Sequence, residues 1–183
     1  MSRALVERAQ RGDRDAYEQL ARDAARRLYL VASRILRDAD AAEDAVQQTL
    51  VAIWRDLPSL RDPDRFDAWT YRMVVRYSRS EQRRERRGGP TVVDVSETLA
   101  ANRDEIGQVA VRDQLRRAFD ALSHEHRAVV VLHHYLGLPH AEIAEILDIP
   151  YGTVGSRLHH ALRALRASIE AGERATVRGG LTA

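Results

Sequence analysis

The sequence predicts an all-α protein of two small helical domains joined by a flexible linker. Apolar residues recur at steps of three and four through most of the chain, strand-like alternation is nearly absent, and a Gly-Gly-Pro interruption at residues 88–90 separates two helical stretches. With 183 residues and 44% hydrophobic content the chain can build real cores, so disorder throughout is excluded. It has no cysteine, which excludes disulfides, thiolate zinc sites and a thiol redox sensor. No apolar run is long enough to span a bilayer and the first residues lack a signal-peptide core, so no membrane insertion and a cytoplasmic location are expected.

The first domain is expected over residues 1–87. Gly12 and Asp13 break a short opening helix. Ala16, Tyr17, Leu20 and Ala24 begin the next, which continues through Leu28, Val31 and Ile35, and Asp38 and Asp40 mark its boundary with a third. From Asp44 onward, Val46, Thr49, Leu50, Ile53, Trp54 and Leu57 make a stripe one helix face wide, closed by Pro58. Trp54 and Trp69 both lie on apolar stripes and are expected in the core. After a loop, Phe66, Trp69, Tyr71, Met73, Val74 and Tyr77 open a helix that turns basic as its apolar residues run out.

Residues 88–108 lack a sustained apolar stripe and are expected as the linker, the alternation at 91–95 being too weak for a strand. Fully extended, such a segment reaches at most roughly 70 Å, about two turns of B-DNA. The second domain is expected over 109–172, followed by a flexible tail at 173–183. Val111, Leu115, Ala118, Phe119 and Leu122 share one face; Ser123 can cap the next helix, whose Val129, Val130, Leu132 and Leu136 supply core.

Residues 139–165 then have the pattern of a helix-turn-helix. Ile143, Ala144 and Leu147 form the apolar face of a short helix, Ile149 plugs the turn, and Pro150 can open a second helix. Ala144 is small where two helices cross closely. Val154, Leu158, Leu162 and Leu165 face inward, which leaves Ser156, Arg157, His159, His160, Arg163 and Arg166 to reach phosphates and base edges in a major groove.

Charge is distributed unevenly. The formal net charge is +2 and all 29 basic residues are arginine, a side chain suited to bidentate phosphate and guanine contact. Residues 72–87 hold seven arginines against Glu81 and Glu85, a local balance of +5. Tyr71 and Tyr77 are interleaved with them, and aromatic faces beside cations suit single-stranded nucleic acid. Asp38, Asp40, Glu43 and Asp44 form an acidic patch ahead of Gln47 and Gln48, suited both to helix capping and to docking. An enzyme, cofactor or metal protein is not expected: the seven histidines (124, 126, 133, 134, 140, 159 and 160) form no His-Glu-x-x-His motif, and no glycine-rich phosphate loop or Ser-His-Asp grouping occurs.

The string D-A-D-A-A-E-D-A-V-Q-Q-T-L-V-A-I-W, followed by F-D-A-W-T-Y-R-M-V and an arginine run, resembles region 2 of a bacterial sigma factor. The stretch from L-S-H-E-H-R to S-R-L-H-H-A resembles region 4. Having these two regions with a short linker resembles the extracytoplasmic-function (ECF, group IV) type of the sigma-70 family, over residues 13–87 and 109–168. The resemblance implies a factor that binds core RNA polymerase, through its largest-subunit coiled coil and its flap, and directs promoter-specific initiation. It assigns Asp40, Glu43, Asp44, Gln47 and Gln48 to the polymerase. It assigns the loop at 60–65 with Arg72, Arg76, Tyr77, Ser80, Arg83 and Arg84 to opening the minus-10 element and holding its non-template strand. Tyr151, Thr153, Gly155, Ser156, Arg157, His159, His160 and Arg163 match the helix that reads the minus-35 duplex. An anti-sigma factor that clamps the two domains is also implied.

Four departures bear on base choice. Tyr77 stands where the family often has asparagine, Gly155 where lysine or arginine is usual, His160 where arginine is common, and Asp148 in place of the turn glycine. The alternative is a transcriptional regulator with a helix-turn-helix of response-regulator output type, which binds duplex DNA without core polymerase.

Overall fold

The structure, a computed structural model, describes residues 1–88 and 106–180. Most of the expected linker, including the alternation at 91–95, and the last three residues of the expected tail lie outside the described residues.

Four helices make the first module: α1 (Arg3–Gln10), α2 (Arg14–Leu36), α3 (Ala39–Asp56) and α4 (Phe66–Gly88). Gly12 takes the left-handed conformation that turns α1 into α2 (φ 88°), and the Asp13 carboxylate caps α2 by accepting the Ala16 N–H at 3.0 Å. Asp38 caps α3 in the same way through Ala41 N–H at 2.9 Å. It is buried, so its charge serves the helix end. That cap starts α3 five residues before the apolar stripe becomes visible at Asp44. Two 3-10 turns, Leu57–Ser59 and Pro63–Arg65, fill the expected loop, the second capped by Asp62.

The core of this module is built from Val6, Leu20, Leu28, Val31, Ile35, Ile53, Phe66 and Val74, all essentially inaccessible to solvent. Ala42, Ala45 and Ala52 on the inner face of α3 are also buried, and their small size lets α2 and α4 approach closely. Each large side chain contributes about 1.5–3 kcal/mol by leaving water.

The second module comprises α5 (Ile106–Asp120), α6 (His124–Val130), a π-helical turn (Val131–Tyr135), α7 (His140–Leu147) and α8 (Tyr151–Gly180). Ser123 caps α6 through His126 N–H at 3.3 Å. Asp148 ends α7 in the left-handed conformation (φ 54°, ψ 53°), the backbone geometry a turn glycine would adopt; a short polar side chain tolerates it. Pro150 stands just before α8, and its carbonyl accepts the Thr153 N–H at 2.9 Å. α8 continues unbroken to Gly180, well past residue 173 where the sequence suggests a tail. Val129, Leu132, Ile143, Val154, Leu158, Ala161 and Leu165 are buried together. Leu136 and Ala144 are only partly so.

The modules pack against each other, α4 on α7 and α2 on α6 and the π-helical turn. This contact is absent from the hydrophobic pattern, because arginines make much of it. Arg127 of α6, 6% exposed, donates to the Ile35 carbonyl at 2.6 Å and the Leu122 carbonyl at 2.7 Å, tying α2 to the second module. Arg37, in the left-handed conformation at the end of α2 (φ 66°), meets Asp120 Oδ1 at 2.5 Å. Among the described residues no helix is long and apolar enough to cross a membrane.

Leu20 lies at the centre of the first module with no solvent exposure. Leu20→Ala is therefore expected to cost about 2–5 kcal/mol, checked by urea denaturation of the full chain.

Candidate functional site

Three helix faces carry the residues singled out from the sequence. On α3, Asp40, Glu43, Asp44 and Gln47 are exposed. Asp40, Asp44, Gln47, Val51 and Trp54 alternate steps of four and three, so they form a single outward stripe. The stripe is acidic at its start and apolar at its end, with Val51 65% and Trp54 64% exposed. Trp54 is thus a surface residue, contrary to the core position its stripe suggests. α3 already buries Ala42, Ala45, Ala52 and Ile53 against its neighbours, and one further residue of rotation, 100°, carries Trp54 to the outside. Tyr17 holds the indole edge-on at 4.5 Å between ring centroids. Trp69 is partly buried against Phe66.

Gln48 differs from Gln47. It is half-buried, and its amide donates to Glu81 Oε1 of α4 at 2.6 Å. Glu81 is 6% exposed and also accepts from Arg84 at 3.2 Å, while Arg84 lies 3.7 Å from Asp44. One polar network therefore joins the α3 and α4 surfaces.

On α4, Arg72, Arg76, Ser80, Arg83 and Arg84 are exposed. Tyr77 is half-buried, with the Arg76 guanidinium 5.1 Å from its ring centroid. Tyr71 is buried and cannot stack on a base; burial also pushes its phenol pKa up. Several arginines here already have acceptors in the second module, two of them carboxylates. Arg65 pairs with Glu145, Arg72 Nε donates to the Glu145 carbonyl at 2.9 Å, and Arg79 meets Glu125 Oε1 at 3.0 Å.

On α8, Tyr151, Ser156, His159, His160 and Arg163 are exposed, and Thr153 and Arg157 are half-buried. Ser156 Oγ donates to the Thr153 carbonyl at 3.0 Å, which leaves its lone pairs outward. A Cβ added at Gly155 would meet nothing within 4 Å, so packing does not require glycine there. A chain of rings supports the start of the helix: His133 to His140 at 5.1 Å, then His140 to Tyr151 at 6.0 Å. His133 Nδ1–H is fixed by the Leu138 carbonyl at 3.1 Å. Nothing in the apolar pattern marks this support.

Between the modules lies a cleft of about 490 Å³, lined by Trp69, Arg76, Arg79, Glu125 and Arg157 among others. Arg157 thus sits at the seam between the modules, while Tyr151, Ser156, His159, His160 and Arg163 remain exposed. The Arg79 hydrogen bond, helped by the positive charge of Arg79, Arg157 and His124, holds the Glu125 carboxyl below its ordinary pKa.

A helix-turn-helix in one module and a basic, tyrosine-bearing helix in the other place the molecule among DNA-binding transcription factors. The chain matches Sigma-70 region 2 over residues 20–88 and Sigma-70 region 4 over residues 112–165, and it belongs to the sigma-70 family, ECF type. It is 36% identical over 147 residues to the ECF RNA polymerase sigma factor SigL of Mycobacterium tuberculosis, covering 78% of this chain and 82% of that protein. It is 31% identical over 179 residues to the ECF RNA polymerase sigma factor SigK of Mycobacterium ulcerans, covering 92% and 93%. Among solved structures it resembles CnrH in complex with the cytosolic domain of CnrY, with a TM-score of 0.65, 26% identity, and coverage of 92% of this chain and 97% of that one.

Because the Glu125 pKa is depressed in the folded chain, its stabilising contribution is present above the ordinary glutamate range and is lost as pH falls through the depressed value. Glu125→Gln is expected to flatten the acid limb of the thermal-stability profile, below the ordinary glutamate range. Superimposable acid profiles for the two proteins would remove Glu125 from the inter-module contact.

Proposed function

We propose that the three faces divide the work of promoter-directed initiation. As a sigma factor of the ECF type, the chain binds core RNA polymerase and directs promoter-specific transcription initiation. The α3 stripe, from Asp40, Glu43, Asp44 and Gln47 to Val51 and Trp54, docks on the largest-subunit coiled coil. Gln48 acts from behind by fixing Glu81. An exposed aromatic anchor rimmed by polar groups is where interface energy concentrates.

Arg72, Arg76, Tyr77, Ser80, Arg83 and Arg84 hold the minus-10 non-template strand. This work needs no catalytic group: unstacking a base costs a few kcal/mol, which phosphate pairing and one stacking surface offset. Tyr77 is that surface, since Tyr71 is buried. Tyr151, Thr153, Ser156, Arg157, His159, His160 and Arg163 enter the minus-35 major groove, where Gly155 adds backbone proximity in place of a cation. Residues 1–87 and 109–172 act as the two functional domains, 88–108 as the tether and 173–183 as a tail. The protein works in the cytoplasm. CnrH is seen bound to the cytosolic domain of CnrY, which supports a protein regulator that binds this chain, the role the family resemblance gives to an anti-sigma factor.

The observation that carries this reading is the coexistence, on one chain, of two outward cationic helix faces and a separate acidic-to-apolar docking stripe. The family finding across residues 20–88 sets aside the response-regulator alternative. Mixing the chain with core polymerase and genomic DNA, then sequencing transcript starts, is the direct test. Arg157→Ala is expected to weaken minus-35 recognition by about 1–3 kcal/mol, read by duplex binding. Arg83→Ala is expected to lower open-complex yield, read by permanganate footprinting. Unchanged transcription with both altered would overturn these roles. Separately, Trp54→Ala is expected to weaken core binding by at least about 1 kcal/mol while lowering the melting temperature less than Leu20→Ala does; equal affinity would take Trp54 out of the interface.

A further inference from the structure

Residues 72–87 hold two acids among their seven arginines. One of these acids, Glu81, is 6% exposed, whereas a glutamate on a solvated helix face stays in water. A buried carboxylate is tolerated only when its oxygens find donors, and both of these do. Oε1 accepts from the Gln48 amide of α3 at 2.6 Å, and Oε2 accepts from the Arg84 guanidinium, about one turn further along α4, at 3.2 Å. The Arg84 side chain is itself 75% exposed and lies 3.7 Å from Asp44 Oδ2. Its NH1 group makes both contacts. A guanidinium carries five N–H donors in a rigid fork, enough to meet an acceptor on DNA at the same time. The Gln48 bond matters because it ties Glu81 to a second helix, whose Ala45 and Thr49 on either side of Gln48 are fully buried. Arg84 is thus gripped from beneath by a group that cannot swing with it.

We propose that Glu81 is a positioning residue for the strand-holding face: buried between α3 and α4, it holds Arg84 in the arrangement that meets a phosphate of the unpaired strand. This rests on the assignment of α4 to the minus-10 strand. An exposed arginine otherwise samples many rotamers, and ordering it on binding costs affinity. With Glu81 beneath it, that ordering is already done in the folded chain. The sign of the effect separates this role from charge. By charge alone, an acid within a cationic face repels phosphates, so neutralising it would tighten DNA binding. Positioning predicts the reverse. The Glu81 charge is compensated by Arg84 itself at 3.2 Å, so little of its repulsion reaches the strand.

The test titrates a fluorescent single-stranded oligonucleotide of mixed sequence into the full chain assembled with core polymerase. Glu81→Gln keeps the side-chain volume and an acceptor for Gln48 but gives up the acceptor for Arg84. It is expected to weaken binding by roughly two- to tenfold, whereas Asp23→Asn, which neutralises an exposed carboxylate on α2, is not. In an Arg84→Ala background Glu81→Gln is expected to have no further effect, since it acts through Arg84. Arg84→Lys alters an exposed side chain, keeps its charge and leaves the core untouched; it is expected to lose a similar amount, because an ammonium lacks the fork. Equal or tighter binding with Glu81→Gln overturns the proposal, as does an undiminished loss in the Arg84→Ala background or full affinity with Arg84→Lys. Arg83→Ala, exposed and outside the network, tests α4 separately. A loss there with none for Glu81→Gln strikes the positioning role alone, while no loss with either Arg83→Ala or Arg84→Ala takes down the minus-10 assignment and this proposal together.

Discussion

The arginine face of α4 is the constraint on which the molecule turns. Guanidinium groups stay charged at any physiological pH, and burying one without an anion or carbonyl partner costs several kcal/mol. The face must therefore remain in water or be covered by something rich in acceptors. The second module covers part of it with Glu125, Glu145 and a backbone carbonyl; under the proposed function the phosphate backbone of an opened strand supplies such acceptors instead. The buried side of the same helix anchors it, since Phe66 and Val74 are essentially inaccessible to solvent in the first module's core. A rigid helix with one face fixed and the other chemically obliged to find anions suits a strand-holding element.

The α3 surface follows a different logic. The α3 stripe changes along its length from carboxylates to an exposed valine and tryptophan, so a partner finds charge at one end and an apolar anchor at the other. Charge favours encounter and register, while the aromatic anchor slows dissociation. The stripe is joined to α4 through Gln48, Glu81, Arg84 and Asp44. A shift of α3 on docking would therefore be felt by an arginine assigned to DNA.

In the helix-turn-helix, backbone geometry does what the expected side chains do not. Asp148 adopts the left-handed turn without glycine, and Gly155 leaves open space on the DNA-facing helix where a cation is usual. Tyr151 is held at the rim by a chain of histidine rings. The exposed face of α8 thus presents Tyr151, Ser156, His159, His160 and Arg163, with Arg157 at the seam between the modules.

Periodicity located most of the helices, though not all their ends, because burial of one face imposes a 3.6-residue repeat that residues such as Leu20, Leu28 and Val31 display directly. Local chemistry likewise determined the Ser123 cap and the chain break at Gly12, while the charge count along residues 72–87 located the cationic helix. What sequence did not determine is which side of a broad stripe faces out. Trp54 was indistinguishable from Ile53 until the packing of α3 against both α2 and α4 left only one of them room inside. Tyr71 and Tyr77 looked equivalent until tertiary contacts buried the first. Ile146 and Arg127 are buried by the partner module, and the pairing of Glu125 and Glu145 with arginines far away in the chain has no local signature. Those are long-range electrostatic and packing choices, and only the assembled tertiary structure decides them.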